Sequence, residues 1–199
     1  MSHWWRFAIA VLPLLVFSPP AFAAPGFPSG WSGSGSAPAK DYEVGTAPVA
    51  GATGKQAAYI KARPGASPNQ FFSLTQCIQA KNYLGKRLRF SARLKSVDAS
   101  AEQLWMRVDG QAAASDRIPK VLGFYNMDDR PVTGTTDWAR YDVVLDVPAE
   151  STGICYGFFL HGGKGEAWAD SLSLEPVSKD VPVSQWKAPN TPVNLGFDR

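Results

Sequence analysis

Residues 71–175 alternate apolar and polar side chains in short runs separated by Gly and Pro. A period of two puts successive side chains on opposite faces of a strand. Residues 71–79 set Phe72, Leu74, Gln76 and Ile78 on one face. Residues 82–86 (Asn-Tyr-Leu-Gly-Lys) read as a turn, and residues 87–97 as the clearest strand. There Leu88, Phe90, Ala92 and Leu94 oppose Arg87, Arg89, Ser91, Arg93 and Lys95. In residues 103–109, Leu104, Met106 and Val108 oppose Trp105, Arg107 and Asp109. A short strand follows at 121–125, then a long loop at 126–137 holding Pro131 and Gly134. Residues 138–147 alternate again, with Tyr141, Val143, Leu145 and Val147 inward and Pro148 as the stop. An apolar strand at 154–160 and a last core strand at 167–175 complete the series, and strands at 41–46 and 56–62 precede it. Regular strands between Gly/Pro turns predict an all-β jelly-roll sandwich of two antiparallel sheets.

The flanks differ in composition. Residues 1–24 carry His3 and Arg6, an apolar stretch from Phe7 to Phe17, and Ala21-Phe22-Ala23 as a cleavage signal. This is the pattern of a secretory signal peptide, and the apolar stretch is too short to span a bilayer. It predicts a periplasmic or secreted protein that does not span the membrane after cleavage. Residues 25–40 form a Gly/Ser/Pro-rich segment with Phe27 and Trp31 embedded. The sandwich is expected over 41–183, and a Pro-containing C-terminal tail over 184–199. Of the 199 residues, seven are Trp, eleven Phe and six Tyr, enough apolar bulk for a sizeable core. Net charge is +3, and loss of Arg6 with the leader leaves +2. That balance, with no helix-turn-helix or zinc-finger spacing, gives no nucleic-acid signature. Cys77 and Cys155 are the two cysteines. Export permits a disulfide between them, and two small buried thiols are the equal alternative.

The series Leu74-x-Gln76-x-Ile78, Tyr83-x-Gly85-Lys86, Leu88-x-Phe90-Ser91, Trp138-x-x-Tyr141, Val147-Pro148, Gly157-Phe158, Trp168-x-Asp170 and Leu172-x-Leu174 resembles galactose-binding-like jelly rolls. Non-catalytic carbohydrate-binding modules of that fold carry a similar series. The blocks Leu104-Trp105-Met106-Arg107-Val108-Asp109-Gly110 and Asn126-Met127-Asp128-Asp129-Arg130-Pro131, with Gly134-Thr135-Thr136-Asp137-Trp138, look like an exported bacterial domain family without settled activity. Related segments occur in chains labelled as transcriptional regulators. The resemblance covers roughly residues 41–183 and implies a jelly roll that binds rather than catalyses. Modules of this type often start Gly-Phe-Glu, with calcium near the carboxylate. Here Pro28 follows Gly26-Phe27, which removes that candidate ligand.

An inventory of reactive groups points away from catalysis. After the leader, His161 is the one histidine, beside Gly162 and Gly163 at a strand end, where an exposed loop position is expected. One histidine and two separated cysteines do not compose a His/Cys zinc site. Gly51-Ala52-Thr53-Gly54-Lys55 lacks the glycine spacing and the following Ser/Thr of a phosphate loop. Asp128 and Asp129 are adjacent in a loop, and Glu102, Asp109, Asp116 and Glu166 are scattered, so no carboxyl pair for glycoside hydrolysis stands out. Asp170 reads as a structural residue, and Trp138 and Trp168 as core.

Binding has more support. Trp105, Arg107 and Asp109 share an aromatic and polar strand face, and Asn126, Asp129 and Arg130 lie on the loop that follows. An aromatic ring stacks on the apolar face of a sugar, and charged groups hydrogen-bond its hydroxyls. In the alternative arrangement a loop covers Trp105 and Arg107 pairs with Asp109 or Asp129. The basic face of Arg87, Arg89, Arg93 and Lys95 is expected to be neutralised by a strand bearing Asp142 and Asp146. The expectation is an exported non-catalytic domain that takes a carbohydrate or envelope-glycan ligand at Trp105, Arg107, Asp109, Asn126, Asp129 and Arg130. It needs no cofactor or metal. An envelope protein-interaction or scaffolding domain is the second reading, and a carboxylate-pair glycan hydrolase the third.

Overall fold

A computed structural model describes residues 26–112, 119–186, 190–192 and 194–196. The leader at 1–24 and the acid Asp116 lie outside the described residues. The strands are β1 (Ser32–Gly35), β2 (Tyr42–Ala47), β3 (Ala57–Ala62), β4 (Phe71–Gln79), β5 (Arg87–Gly110), β6 (Lys120–Tyr125), β7 (Val132–Asp146), β8 (Ser151–His161) and β9 (Glu166–Val177). Helical structure among the described residues is limited to two three-residue 3-10 turns, Ala39–Asp41 and Ala80–Asn82. None is long and apolar enough to cross a membrane.

All pairings are antiparallel, and β5 organises them. Its first half pairs with β7 and β9, and β9 continues through β3 to β2. Its second half pairs with β8 and β6, and β8 continues through β4 to β1. One hydrogen-bonded sheet thus curls into two facing layers, the jelly-roll sandwich that the alternation predicts. Residues 87–97 and 103–109 are two parts of one 24-residue strand rather than two strands. The alternation breaks between them because β5 bends. Asp98 adopts φ 47°, and the register to β7 shifts between Leu94 and Ser96, Ser96 and Ala99, and Ala99 and Glu102. Such bulges change which side chains face inward, so the period of two is lost locally. The loop expected at 126–137 is likewise shorter, because β7 begins at Val132.

The core lies between the layers. Leu88, Phe90, Ala92 and Leu94 from the first half of β5 meet Leu104, Met106 and Val108 from the second, all at 0–1% exposure. Phe72 and Leu74, Ile154, Phe158 and Leu160, and Val143, Leu145 and Val147 fill the rest. Burying each large side chain contributes about 1.5–3 kcal/mol. Cys77 and Cys155 are Cα partners across β4 and β8 and are joined by a disulfide. A smaller apolar cluster of Ala57, Tyr59 and Trp168 sits apart from this core, with half-buried Trp138 packed on it. Trp168 is therefore buried outside the main core, and Trp138 is only partly covered, its indole N–H donating to the Ala50 carbonyl.

The basic face is neutralised. Arg87 pairs with Asp146, Arg89 with Asp142 and Glu175, Arg93 with Asp170, and Lys95 with Asp137. Asp170 is structural: it accepts from the backbone N–H and the hydroxyl of Thr53. Burial alone would raise its carboxyl; the donors from Thr53, Ser171 and Gly54 overcome burial and hold it below the usual carboxylate range. Arg87 also fastens the start of the tail, donating to the carbonyls of Lys179 and Val181.

Candidate functional site

On the layer formed by β1, β4, β8, the second half of β5, and β6, core-facing positions alternate with outward ones. The outward rows can be followed strand to strand. Ser73 stands opposite Phe159, which stands opposite Gln103. Thr75 stands opposite Gly157, which stands opposite Trp105. Cys77 and Cys155 stand opposite Arg107, which pairs with Phe124. These rows floor a groove of about 550 Å³, lined by Phe71, Ser73, Gln103, Trp105, Arg107, Phe124, Asn126, Asp128, Phe159 and His161, with Ser34 and Gly35 at its edge. That volume is within the range of small-ligand sites.

Trp105 is the centre of the floor. Its indole N–H donates to the Ser73 hydroxyl at 2.9 Å. Ser73 is on β4, two strands away, and neighbouring strands lie roughly 4.8 Å apart. The indole therefore crosses β8. It does so where Gly157 leaves no side chain in the way. That glycine is required for a second reason, since a Cβ there would meet the Leu74 carbonyl oxygen at 2.0 Å. The ring is pinned across the sheet, and it is half-buried rather than covered. Phe71, Phe159 and the half-exposed Phe124 add apolar surface around it.

The polar rim is ordered by its own hydrogen bonds. Gln103 is 3% exposed, and its amide nitrogen donates to the Asn126 carbonyl and to Asp128 Oδ1, at 2.9 and 2.8 Å. Both partners are acceptors, so the orientation of the amide is settled and its own oxygen remains an acceptor. Arg107 is held by Asp109, with Nε 2.9 Å from Oδ1 and both Nε and one terminal nitrogen donating to Oδ2. Asp109 is 5% exposed and does not line the groove; it orients and neutralises Arg107.

The structure brings Trp105, Arg107 and Asn126 together, with Asp109 behind Arg107. It does not bring Asp129 or Arg130 into the groove. Asp129 accepts from the Tyr125 hydroxyl, and Arg130 donates to that hydroxyl and to the Asp142 carbonyl. The turn instead offers Asp128. Asp128 and Asp129 thus point to different neighbours, not at each other across a cleft. Among the described residues, no three His, Cys, Asp or Glu side chains gather as a metal-binding group. His161, expected as a loop residue, ends β8 and lines the groove. Phe71, Gln103, Phe124, Asp128 and Phe159 escaped the sequence reading. Phe159 lies in a run apolar on both faces, so its phase carried no information, and Phe124 lies on a strand too short to show one.

An adjoining hollow of about 350 Å³ is lined by Phe124, Tyr125, Asn126, Asp128, Asp129 and Trp186. It shares Phe124, Asn126 and Asp128 with the groove.

No known family's sequence profile matches the chain. It is 40% identical over 174 residues to the uncharacterized HTH-type transcriptional regulator YbfP of Bacillus subtilis (strain 168), an alignment covering 85% of this chain and 56% of that protein. The chain therefore spans little more than half of that relative's length. Among solved structures, it is similar to the enzymatically active domain of tailspike protein 4 of bacteriophage CBA120, with a TM-score of 0.54 and 14% identity over 75% of this chain and 20% of that one. It is also similar to the C-terminal family 22 carbohydrate-binding module of Clostridium thermocellum Xyn10B, with a TM-score of 0.50 and 10% identity over 77% of this chain and 89% of that one. At these identities the likeness concerns the backbone, and it establishes the fold: an all-β, curled antiparallel jelly roll.

Proposed function

We propose that this domain is an exported, non-catalytic module that binds carbohydrate in the groove over Trp105. The observation that carries the reading is the indole pinned across β8 by its bond to Ser73, amid phenylalanines and a pre-ordered rim of amide, carboxylate and guanidinium groups. A flat apolar ring beside fixed hydrogen-bonding groups complements a sugar, which has an apolar ring face and a belt of hydroxyls. The backbone likeness to a carbohydrate-binding module supports the same reading by analogy. A glycan array followed by calorimetry tests it. Binding that Trp105→Ala abolishes is the expected result, and absence of glycan binding, or binding indifferent to Trp105, overturns it.

Export rests on the leader pattern of residues 1–24 and suits a disulfide, which persists in oxidising compartments. Mass analysis of the mature protein from its host should show a chain beginning near Pro25; an intact Met1 would contradict export. The relative's name describes a DNA-binding regulator. The described residues hold only two short 3-10 turns in the way of helix, and neither can serve as a recognition helix.

A protein-binding reading has one specific observation in its favour. Val121 and Phe124 are half-exposed on β6, which pairs with β5 on one side. Such an edge can accept a partner strand. A partner that co-purifies with the wild type and is lost on Val121→Asp, with Trp105→Ala harmless, would favour that reading over carbohydrate.

A further inference from the structure

Resting on the carbohydrate reading, we infer that the ligand is a linear, uncharged glycan chain that runs out of the groove, around the turn at Asn126, and onto Trp186 of the C-terminal tail. The groove and the adjoining hollow share Phe124, Asn126 and Asp128, so they abut at these residues, with Trp105 in one and Trp186 in the other. Phe124 stands between them at 51% exposure, and Trp186 is 66% exposed. A chain laid across both hollows would meet three aromatic side chains, Trp105, Phe124 and Trp186, and the polar groups of Asn126, Asp128 and Asp129.

Trp186 is placed by the fold. Arg87 grips the carbonyls of Lys179 and Val181, and Val183 packs against the core. Ser184 then clasps β7 twice: its backbone N–H donates to the Val144 carbonyl, and its hydroxyl accepts from the Val144 N–H. Trp186 follows two residues later, so a structural clasp sets where its ring can reach.

Charge selects the class of chain. Arg107, which lines the groove, is committed to Asp109, and Arg130, which lines neither hollow, is turned toward Asp142. Asp128 and Asp129 instead receive hydrogen bonds from neutral donors, the Gln103 amide and the Tyr125 hydroxyl. Among the described residues neither carboxylate forms a salt bridge, so both attract hydroxyl donors and repel carboxylated sugars.

Calorimetry with xylo-, cello- and manno-oligosaccharides of two to six units tests the inference, with oligogalacturonides of the same lengths as the anionic comparison. For the neutral series that binds, affinity is expected to rise about tenfold or more with length. Trp186→Ala should remove most of that rise and leave the shortest binding ligand unaffected, whereas Trp105→Ala should weaken every length. Because Trp186 is mostly exposed, this variant should keep its thermal midpoint, which is measured alongside. Affinity independent of length, an unchanged rise in Trp186→Ala, or oligogalacturonides binding as well as the neutral series would overturn the extended site while leaving the Trp105 groove intact. Failure of every oligosaccharide to bind would overturn both.

Discussion

Two side chains decide most at the scale of single residues. Trp105 matters for where its ring is held. Its N–H bond to Ser73 keeps the indole lying across β8 before any ligand arrives, which reduces the ordering cost of binding. Trp105→Ala should cost about 2 kcal/mol or more of binding free energy, the scale of an aromatic hot spot. Ser73→Ala should weaken binding by a smaller factor, of the order of one neutral hydrogen bond, about 0.5–1.5 kcal/mol. Calorimetry on the two variants separates the ring from its tether. The second residue is Glu102, at 0% exposure on β5, where no described side chain partners either carboxyl oxygen. Burial pushes this carboxyl well above the usual range, against a smaller opposing effect of the Trp168 backbone N–H. A raised folded-state value means that its stabilising contribution is complete below the unfolded-state value, near 4.5. That contribution is lost as pH rises toward the folded-state value, at up to about 1.4 kcal/mol per pH unit. Glu102→Gln should therefore melt increasingly above wild type as pH rises from 4.5 toward neutrality. Thermal scans across that window check it; a gap that does not widen with pH would show that Glu102 is not held as the acid.

At the scale of elements, the floor of the groove depends on how β4 and β8 are joined. The Cys77–Cys155 disulfide ties them at the row beside Arg107 and closes a separation of 78 residues. Removing it with Cys77→Ala and Cys155→Ala together should cost about 2–5 kcal/mol in urea unfolding. It should also weaken ligand binding, because the same two strands carry Ser73 and Phe159. Gly157→Ala should be felt twice, through collision with the Leu74 carbonyl and through displacement of the indole, with a stability loss of about 1–3 kcal/mol. The tail is an element of its own. Asp146, held by the Arg87 guanidinium against the effect of burial and helped by Lys179, has its carboxyl lowered to about 2. A lowered value means that this support is present above the unfolded-state value of 3.8 and is lost as pH falls toward 2. Because Asp146 is partly exposed, solvent screening reduces the energetic effect. Limited proteolysis should cut the tail faster in Arg87→Ala than in wild type, with the rest of the domain intact; equal rates would show that the Ser184 clasp alone suffices.

At the scale of the whole molecule, β5 runs through both layers, with the first half in one and the second half in the other. Neither layer can separate without breaking a strand that also belongs to its partner. Unfolding should therefore be a single transition, with tryptophan fluorescence and far-ultraviolet circular dichroism giving the same midpoint. Leu94→Ala, in the first half, and Leu104→Ala, in the second, should each cost about 2–5 kcal/mol and shift both probes equally. A biphasic curve in either variant would mean that the layers unfold separately.

The strand pattern by itself determined the fold class, most inward faces and the neutralised basic strand. Alternation reports directly which side of a pleated strand meets the core, and opposite charges on neighbouring strands find each other. It could not report the bend at Asp98, because a residue with positive φ and its bulges change the phase of the pattern without any distinctive residue type. The sequence also brought Trp105, Arg107 and Asp109 forward as one strand face, with Asn126, Asp129 and Arg130 on the loop beside it, and of these Trp105, Arg107 and Asn126 line the groove. Only the tertiary structure decided the rest: that Gly157 opens the sheet for the indole, that Asp128 and not Asp129 turns into the groove, and that Phe71 and Phe159 stand beside Trp105. The physical reason is distance along the chain. Those neighbours come from strands far apart in sequence, and their meeting depends on register and on the aim of a turn, neither of which leaves a periodic trace.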